Sequence, residues 1–308
     1  MQNSIVEHGG SIPGSDGRAA FALSVANPSP IPVLIAVPHA GRVYPASLLN
    51  RMRHPEQATL KLEDRYVDRV AEALARKTGA ALLVAQAPRA MIDLNRSVDD
   101  MDWEMLDRRD RPPEWGGQAG GRRARSGLGL LPRRLPGLGE LWKQRIDLGE
   151  LDMRLDHIHR PYHQTLATAL ASLRDRWGAA LLLDLHSMPP LAGRIDRQPV
   201  ADFVVGDRFG ASCDGNLCAL TFKSLGRRGW KVAHNRPYAG GYVLDRHAIP
   251  GRSLHGFQLE ICRSLYLDAN LDALGPGFAR VTEHLADLVR HLAEEVASLG
   301  RGMSMAAE

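Results

Sequence analysis

The apolar positions along the chain follow two rhythms. Short runs rich in Val, Ile and Leu, at 33–37 (VLIAV), 80–85 (AALLVA), 180–185 (ALLLDL), 202–206 (DFVVG), 230–234 (WKVAH) and 256–261 (GFQLEI), read as buried strands. Between them, at 59–78, 140–176, about 211–226 and 272–299, apolar residues return every three or four positions, the period of amphipathic helices. Pro161 falls inside the second of these and predicts a break or restart, because proline lacks the N–H that a helix interior uses. Strands alternating with helices predict an α/β fold in which a sheet is enclosed between helical layers. The stretch 107–139, "DRRDRPPEWGGQAGGRRARSGLGLLPRRLPGLG", has neither rhythm, and its Gly, Pro and Arg predict a loop or lid inserted into one domain spanning 1–308.

Composition narrows the class. The 308 residues are 44% hydrophobic and 24% charged, which suits a globular chain with a large core. A net charge of +4 would suggest nucleic acid only if the basic residues were clustered on an ordered face. The one Arg-dense stretch lies in the predicted loop and lacks the interleaved aromatics that stack on bases, so no nucleic-acid partner is expected. Cys213, Cys218 and Cys262 have neither CxxC spacing nor an even count, and read as reduced thiols. No basic-then-apolar leader opens the chain and no apolar run reaches membrane-span length. The expectation is a soluble, cytoplasmic protein with a small-molecule partner and no membrane contact.

In an α/β sheet, ligand chemistry gathers at the carboxyl ends of strands. His39 in "VPHAGRVYP" follows the run 33–37, and His186 in "LLLDLHSMPP" follows 180–185. Two such histidines point to a metal, and a catalytic zinc takes three protein ligands while keeping a fourth position open. Carboxylates for the third ligand occur in "KLEDRYVDRVAEAL". Asp64 is the choice, Glu63 the fallback, and Asp68 a candidate for orienting a ligand. Other divalent ions also suit two histidines and a carboxylate. Glu260, isolated in the apolar run of "FQLEICRSLYLD", is a candidate general base, since burial raises a carboxyl pKa toward that of a proton shuttle. A third strand end leads into "DLNR", with Asp93, Asn95 and Arg96 packed into four positions.

The segments "VPHAGRVYP", "EDRYVDRV", "PRAMIDLNR", "DLHSM", "GASCDG", "GGYVLDRH" and "FQLEICRSLYLD" occur in an order that resembles the N-formylglutamate amidohydrolase family, from about residue 33 to about residue 290. That family is similar to zinc carboxypeptidases and aspartoacylases. The resemblance implies a three-layer α/β/α sandwich around a mixed, mostly parallel sheet, with one zinc held by His39 and His186 and with Glu260 as base. It implies that Asn95 and Arg96 hold a substrate carboxylate, as the similar segment of aspartoacylases does, and that Arg89 stabilises the oxyanion. Tyr242, His247, Arg160 and His163 are candidates for lining the pocket. The chain departs from the HxxE turn of carboxypeptidases, because "HAGR" ends in Arg42, so the third metal ligand must come from farther along.

The function expected is zinc-dependent hydrolysis of N-formyl-L-glutamate to formate and L-glutamate, within histidine degradation by resemblance. The alternatives are an enzyme for another N-acyl amino acid or small peptide, and a non-catalytic binding protein on the same scaffold, which would have little reason to keep a buried base.

Overall fold

A computed structural model describes residues 4–111, 122–191 and 201–306. Its sheet is built from β1 (Ser4–Gly9), β2 (Phe21–Ala26), β3 (Val33–Val37), β4 (Ala81–Ala85), β7 (Ala180–Met188), β8 (Phe203–Gly206), β9 (Val232–His234) and β10 (Leu254–Cys262); β5 (Arg134–Leu135) and β6 (Gly139–Glu140) form a separate hairpin. The order across the sheet is β1-β2-β4-β3-β7-β10-β8-β9. The pairings β4–β3, β3–β7, β7–β10 and β8–β9 are parallel, and β1–β2, β2–β4 and β10–β8 are antiparallel. The sheet is therefore mixed and mostly parallel, as expected.

Alternation along the central strands divides the core in two, because successive side chains leave a strand on opposite faces. Val33, Ile35, Val37, Leu181, Leu183 and Leu185 pack against α3 (Val67–Thr78), α7 (Gly215–Arg227) and α9 (Phe278–Ala306). Leu34, Ala36 and Leu182 face the other way, toward α1 (Ala46–Arg51), α2 (Pro55–Leu62), α6 (Arg160–Trp177) and α8 (Tyr242–His247). With helices on both faces the architecture is three layers, α/β/α.

Four features depart from the sequence expectation. The edge strand β1 and its neighbour β2 went unread, because "SIVEHG" and "FALSVA" are short and are not continuous apolar runs. β7 runs on to Met188, so His186 lies within the strand rather than after it.

The helix predicted at 59–78 is two helices, broken at Glu63–Tyr66 although neither Gly nor Pro occurs there. Tertiary partners replace the lost helical bonds. Asp64 N–H donates to His39 C=O at 2.9 Å, Arg263 Nη1 donates to Leu60 C=O at 3.2 Å, Arg263 Nη2 donates to Glu63 C=O, and Tyr66 turns left-handed at φ 53°.

The helix predicted at 140–176 begins at Leu148 as α5 (Leu148–Arg154) and continues through a π turn, Leu155–His159, into α6. Pro161 does not break it. The carbonyl four residues earlier, on His157, takes the N–H of Ser11 at 2.9 Å, so the bond that proline cannot make is supplied from the N-terminal segment.

Of the stretch 107–139, residues 112–121 lie outside the described residues. The rest contains the short helix α4 (Arg122–Arg125) and the β5–β6 hairpin, and it buries Leu130, Leu131 and Leu135.

Candidate active site

β3, β4, β7 and β10 deliver their carboxyl ends to one cavity of ≈ 200 Å³, whose walls include His39, Asp64, Arg89, Arg96, His186 and Glu260. His39 is carried by the turn after β3. That turn lies so close to the exit of β4 that a Cβ on Gly41 would meet Ala87 O at 2.0 Å, which accounts for the glycine in "HAGR". Asp64 is presented by the break between α2 and α3, tied to His39 by the backbone bond described above.

His39, Asp64 and His186 place one ligand atom each within 4.8 Å of one another, and all three are buried. Both imidazoles turn the same nitrogen inward. His39 Nε2 donates to Asp93 Oδ1 at 2.7 Å and His186 Nε2 lies 3.0 Å from Asp184 Oδ2, which leaves the Nδ1 atoms facing Asp64 Oδ2 at 3.6 and 2.9 Å. Histidines that ligate metal through one nitrogen commonly have the other held by a carboxylate in this way. Burial alone would raise Asp64, but hydrogen bonds from His186 and His39, and their charge, outweigh it and hold the carboxyl below the usual range. Burial alone would lower His186, but Asp184 and then Asp64 push it well above the usual histidine range. The cluster favours a positive charge between these residues, and two imidazole nitrogens with one carboxylate oxygen suit a zinc-class dication.

Glu63 faces elsewhere: its Oε2 pairs with Arg65 Nη1 at 3.0 Å. Asp68 orients no metal ligand, because both its oxygens are taken by Arg42, at 3.0 and 2.5 Å. Asp93 and Asp184 hold the imidazoles instead. Arg263 steadies Asp64 from behind, 3.5 Å from Oδ1.

Glu260 is buried on β10, and burial pushes its carboxyl up to about 7 against the opposing charge of His186. A relay of amides reaches it. Val243 N–H donates to Asn95 Oδ1 at 2.9 Å, Asn95 Nδ2 to Gln258 Oε1 at 3.3 Å, and Gln258 Nε2 to Glu260 Oε1 at 2.6 Å. Gly241 permits the first contact, since a Cβ there would meet Asn95 Oδ1 at 2.6 Å.

Asp93, fully buried, is the hub that ties together the wall residues His39, Arg89 and Asn95. Besides His39 it accepts Asn95 N–H at 2.8 Å and Arg89 Nε at 2.9 Å, and despite burial the charges of Arg89, His39 and Arg96 hold it well below the carboxylate range. Arg96 donates through Nε to Leu128 O at 3.0 Å and through Nη1 to Asn95 O at 2.6 Å. His159, on the π turn, bonds Arg96 O at 2.9 Å and so holds this loop from below.

The remaining candidates are not brought to the cavity wall. Arg160 is exposed and pairs with Asp156. His247 is buried with its Nε2 2.9 Å from His163 Nδ1, their rings stacked, and burial takes its pKa down to about 3. Tyr242 stacks on His159 and accepts from Arg246 Nη1 at 2.7 Å. Sequence reasoning gave no role to Asp184, Gln258, Arg263 or Lys61. Spacing held a signal for two of them, since Asp184 and Gln258 each lie two strand positions before His186 and Glu260 and so share their faces.

The chain is 30% identical to the N-formylglutamate deformylase of Pseudomonas putida over 241 residues, 77% of this chain and 82% of that one. It is 29% identical to the N-formylglutamate deformylase of Pseudomonas aeruginosa over 275 residues, 88% and 94% of the two chains. A crystal structure of N-formylglutamate amidohydrolase from Ralstonia eutropha JMP134 superposes with a TM-score of 0.79 at 31% identity, covering 90% of this chain and 98% of that one. The family profile described as N-formylglutamate amidohydrolase matches residues 31–267, a span that takes in every wall residue named above, and the chain belongs to that family.

Proposed function

We propose that the protein is a metal-dependent hydrolase that cleaves N-formyl-L-glutamate to formate and L-glutamate. The observation that carries this reading is the convergence, in one cavity, of a two-histidine, one-carboxylate cluster, a buried carboxyl raised to about 7 and three arginines. A cavity of ≈ 200 Å³ is below the range of about 300–1,000 Å³ typical of drug-sized ligands, which favours a small metabolite.

His39, Asp64 and His186 would hold one zinc, which when bound supplies Lewis-acid polarisation of the formyl oxygen and acidifies water. Glu260 accepts a proton from the attacking water and returns it to the departing amine nitrogen, a double duty that suits a carboxyl with a pKa of about 7. Arg89, fixed by Asp93, carries charge developing on the formyl oxygen as the carbon becomes tetrahedral. Arg96 receives a substrate carboxylate, while Asn95, committed to Val243 and Gln258, keeps Glu260 aimed.

The test is metal analysis of the purified protein and turnover of a panel of N-acyl amino acids. The expected result is about one zinc per chain, activity lost to a chelator and restored by zinc, and N-formyl-L-glutamate as the best substrate. A metal-free protein that turns over every panel member equally well overturns the proposal.

A further inference from the structure

The cavity wall carries four cationic side chains, Lys61, Arg89, Arg96 and Arg263. Three are already engaged by the fold. Arg89 is paired with Asp93, Arg96 is bonded to Leu128 O and Asn95 O, and Arg263 is spread over Ser187, Leu60 O, Glu63 O and Asp64. Among the described residues no hydrogen bond or ion pair is found for the Lys61 ammonium. Lys61 is exposed, in the last turn of α2, three positions before Asp64. Its backbone is nevertheless fixed, because Arg263 binds the carbonyls on either side of it, at Leu60 and Glu63.

A cation at a helix C-terminus is ordinary, since it complements the macrodipole. Here, however, it also borders the reaction cavity, with no partner for its charge among the described residues and its helix end tied to the same arginine that steadies Asp64. Resting on the function proposed above, we infer that Lys61 is a specificity-determining residue that receives the second carboxylate of an N-acyl dicarboxylic amino acid, the first being held by Arg96. A point charge on a flexible stem suits the mobile distal carboxylate of such a substrate, whereas the planar guanidinium suits the carboxylate beside the scissile bond. Selection against neutral side chains then follows, because a γ-amide offers the ammonium no countercharge.

The test compares zinc-loaded wild-type protein, Lys61→Met and Lys61→Arg on N-formyl-L-glutamate and its γ-amide, N-formyl-L-glutamine. In wild type the diacid is preferred. In Lys61→Met the ratio of kcat/KM for the diacid over the amide falls about 10–100-fold, mainly through KM, while Lys61→Arg keeps most of the preference. An unchanged ratio in Lys61→Met, or equal losses on both substrates, overturns the inference and leaves the proposed function standing. Wild type that hydrolyses both substrates without preferring the diacid overturns the inference and the expectation of N-formyl-L-glutamate as best substrate, and leaves the metal-dependent hydrolase standing. Wild type that hydrolyses neither overturns both.

Discussion

Glu260 stands directly opposite His186 in the parallel pairing of β10 with β7. The candidate base and a candidate metal ligand thus share one rung of the sheet, and their separation is set by inter-strand spacing, about 4.8 Å, rather than by a loop. Glu260→Gln keeps an oxygen for Gln258 Nε2 and removes only the basic site. Turnover is expected to fall about 10²–10⁴-fold with melting temperature and metal content unchanged. Near-wild-type kcat in this variant would remove Glu260 from the mechanism.

The same carboxyl sets a pH dependence. It must be ionised to accept a proton, so kcat/KM rises with pH along a limb at or below a pKa of about 7, lower when a dication is bound nearby, and is level above it. Stability of the metal-free protein moves the other way. The folded-state pKa is raised from 4.5 to about 7, so the folded protein binds more protons across that window, and this contribution to stability is lost as pH rises through it. Melting curves of metal-free wild type and Glu260→Gln should show a shallower decline in the variant. Parallel curves would argue against the raised carboxyl.

His39 and His186 were legible because each ends a buried apolar run, and Glu260 because a lone acid in such a run requires an explanation. Asp64 was legible only as one of several acids, since the break that aims it depends on Arg263, about two hundred positions away in sequence. The partnership of His39 with Asp93 likewise spans 54 positions and leaves no periodic trace. Arg160 and His247 lie close in sequence to residues that do support the site, but helix phase turns the first outward and burial pairs the second with His163. The edge strand β1 escaped notice because it is solvent-exposed, with Ile5 and Val6 about half accessible, and β2 because Ser24 interrupts its short apolar run.

The choice between the two adjacent acids is testable by metal content. Asp64→Ala and His186→Ala should each abolish stoichiometric zinc, whereas Glu63→Ala should retain it, because the Glu63 carboxylate is turned toward Arg65. Full zinc in Asp64→Ala would reverse the assignment.

Arg96→Lys separates clamping from scaffolding. Lys keeps the charge but cannot supply the forked donors, so kcat/KM on N-formyl-L-glutamate should fall much more than on an analogue whose α-carboxylate is an amide. Leu128 O and Asn95 O lose a fixed donor as well, and a melting curve should show a loss of about 1–3 kcal/mol. Equal kinetic losses on both substrates would mean that Arg96 only holds the loop.

Asp93 serves His39, Arg89 and the Asn95 backbone with one carboxylate. Three duties on a single side chain leave these wall residues little room to drift: a replacement that improved one partner would disturb the other two. Lys61 and Leu128 carry no such shared duty in the described structure, and they border the same cavity. On the function proposed above, a change of acyl amino acid is expected from substitutions around the mouth, whereas the residues tied through Asp93 can change only together.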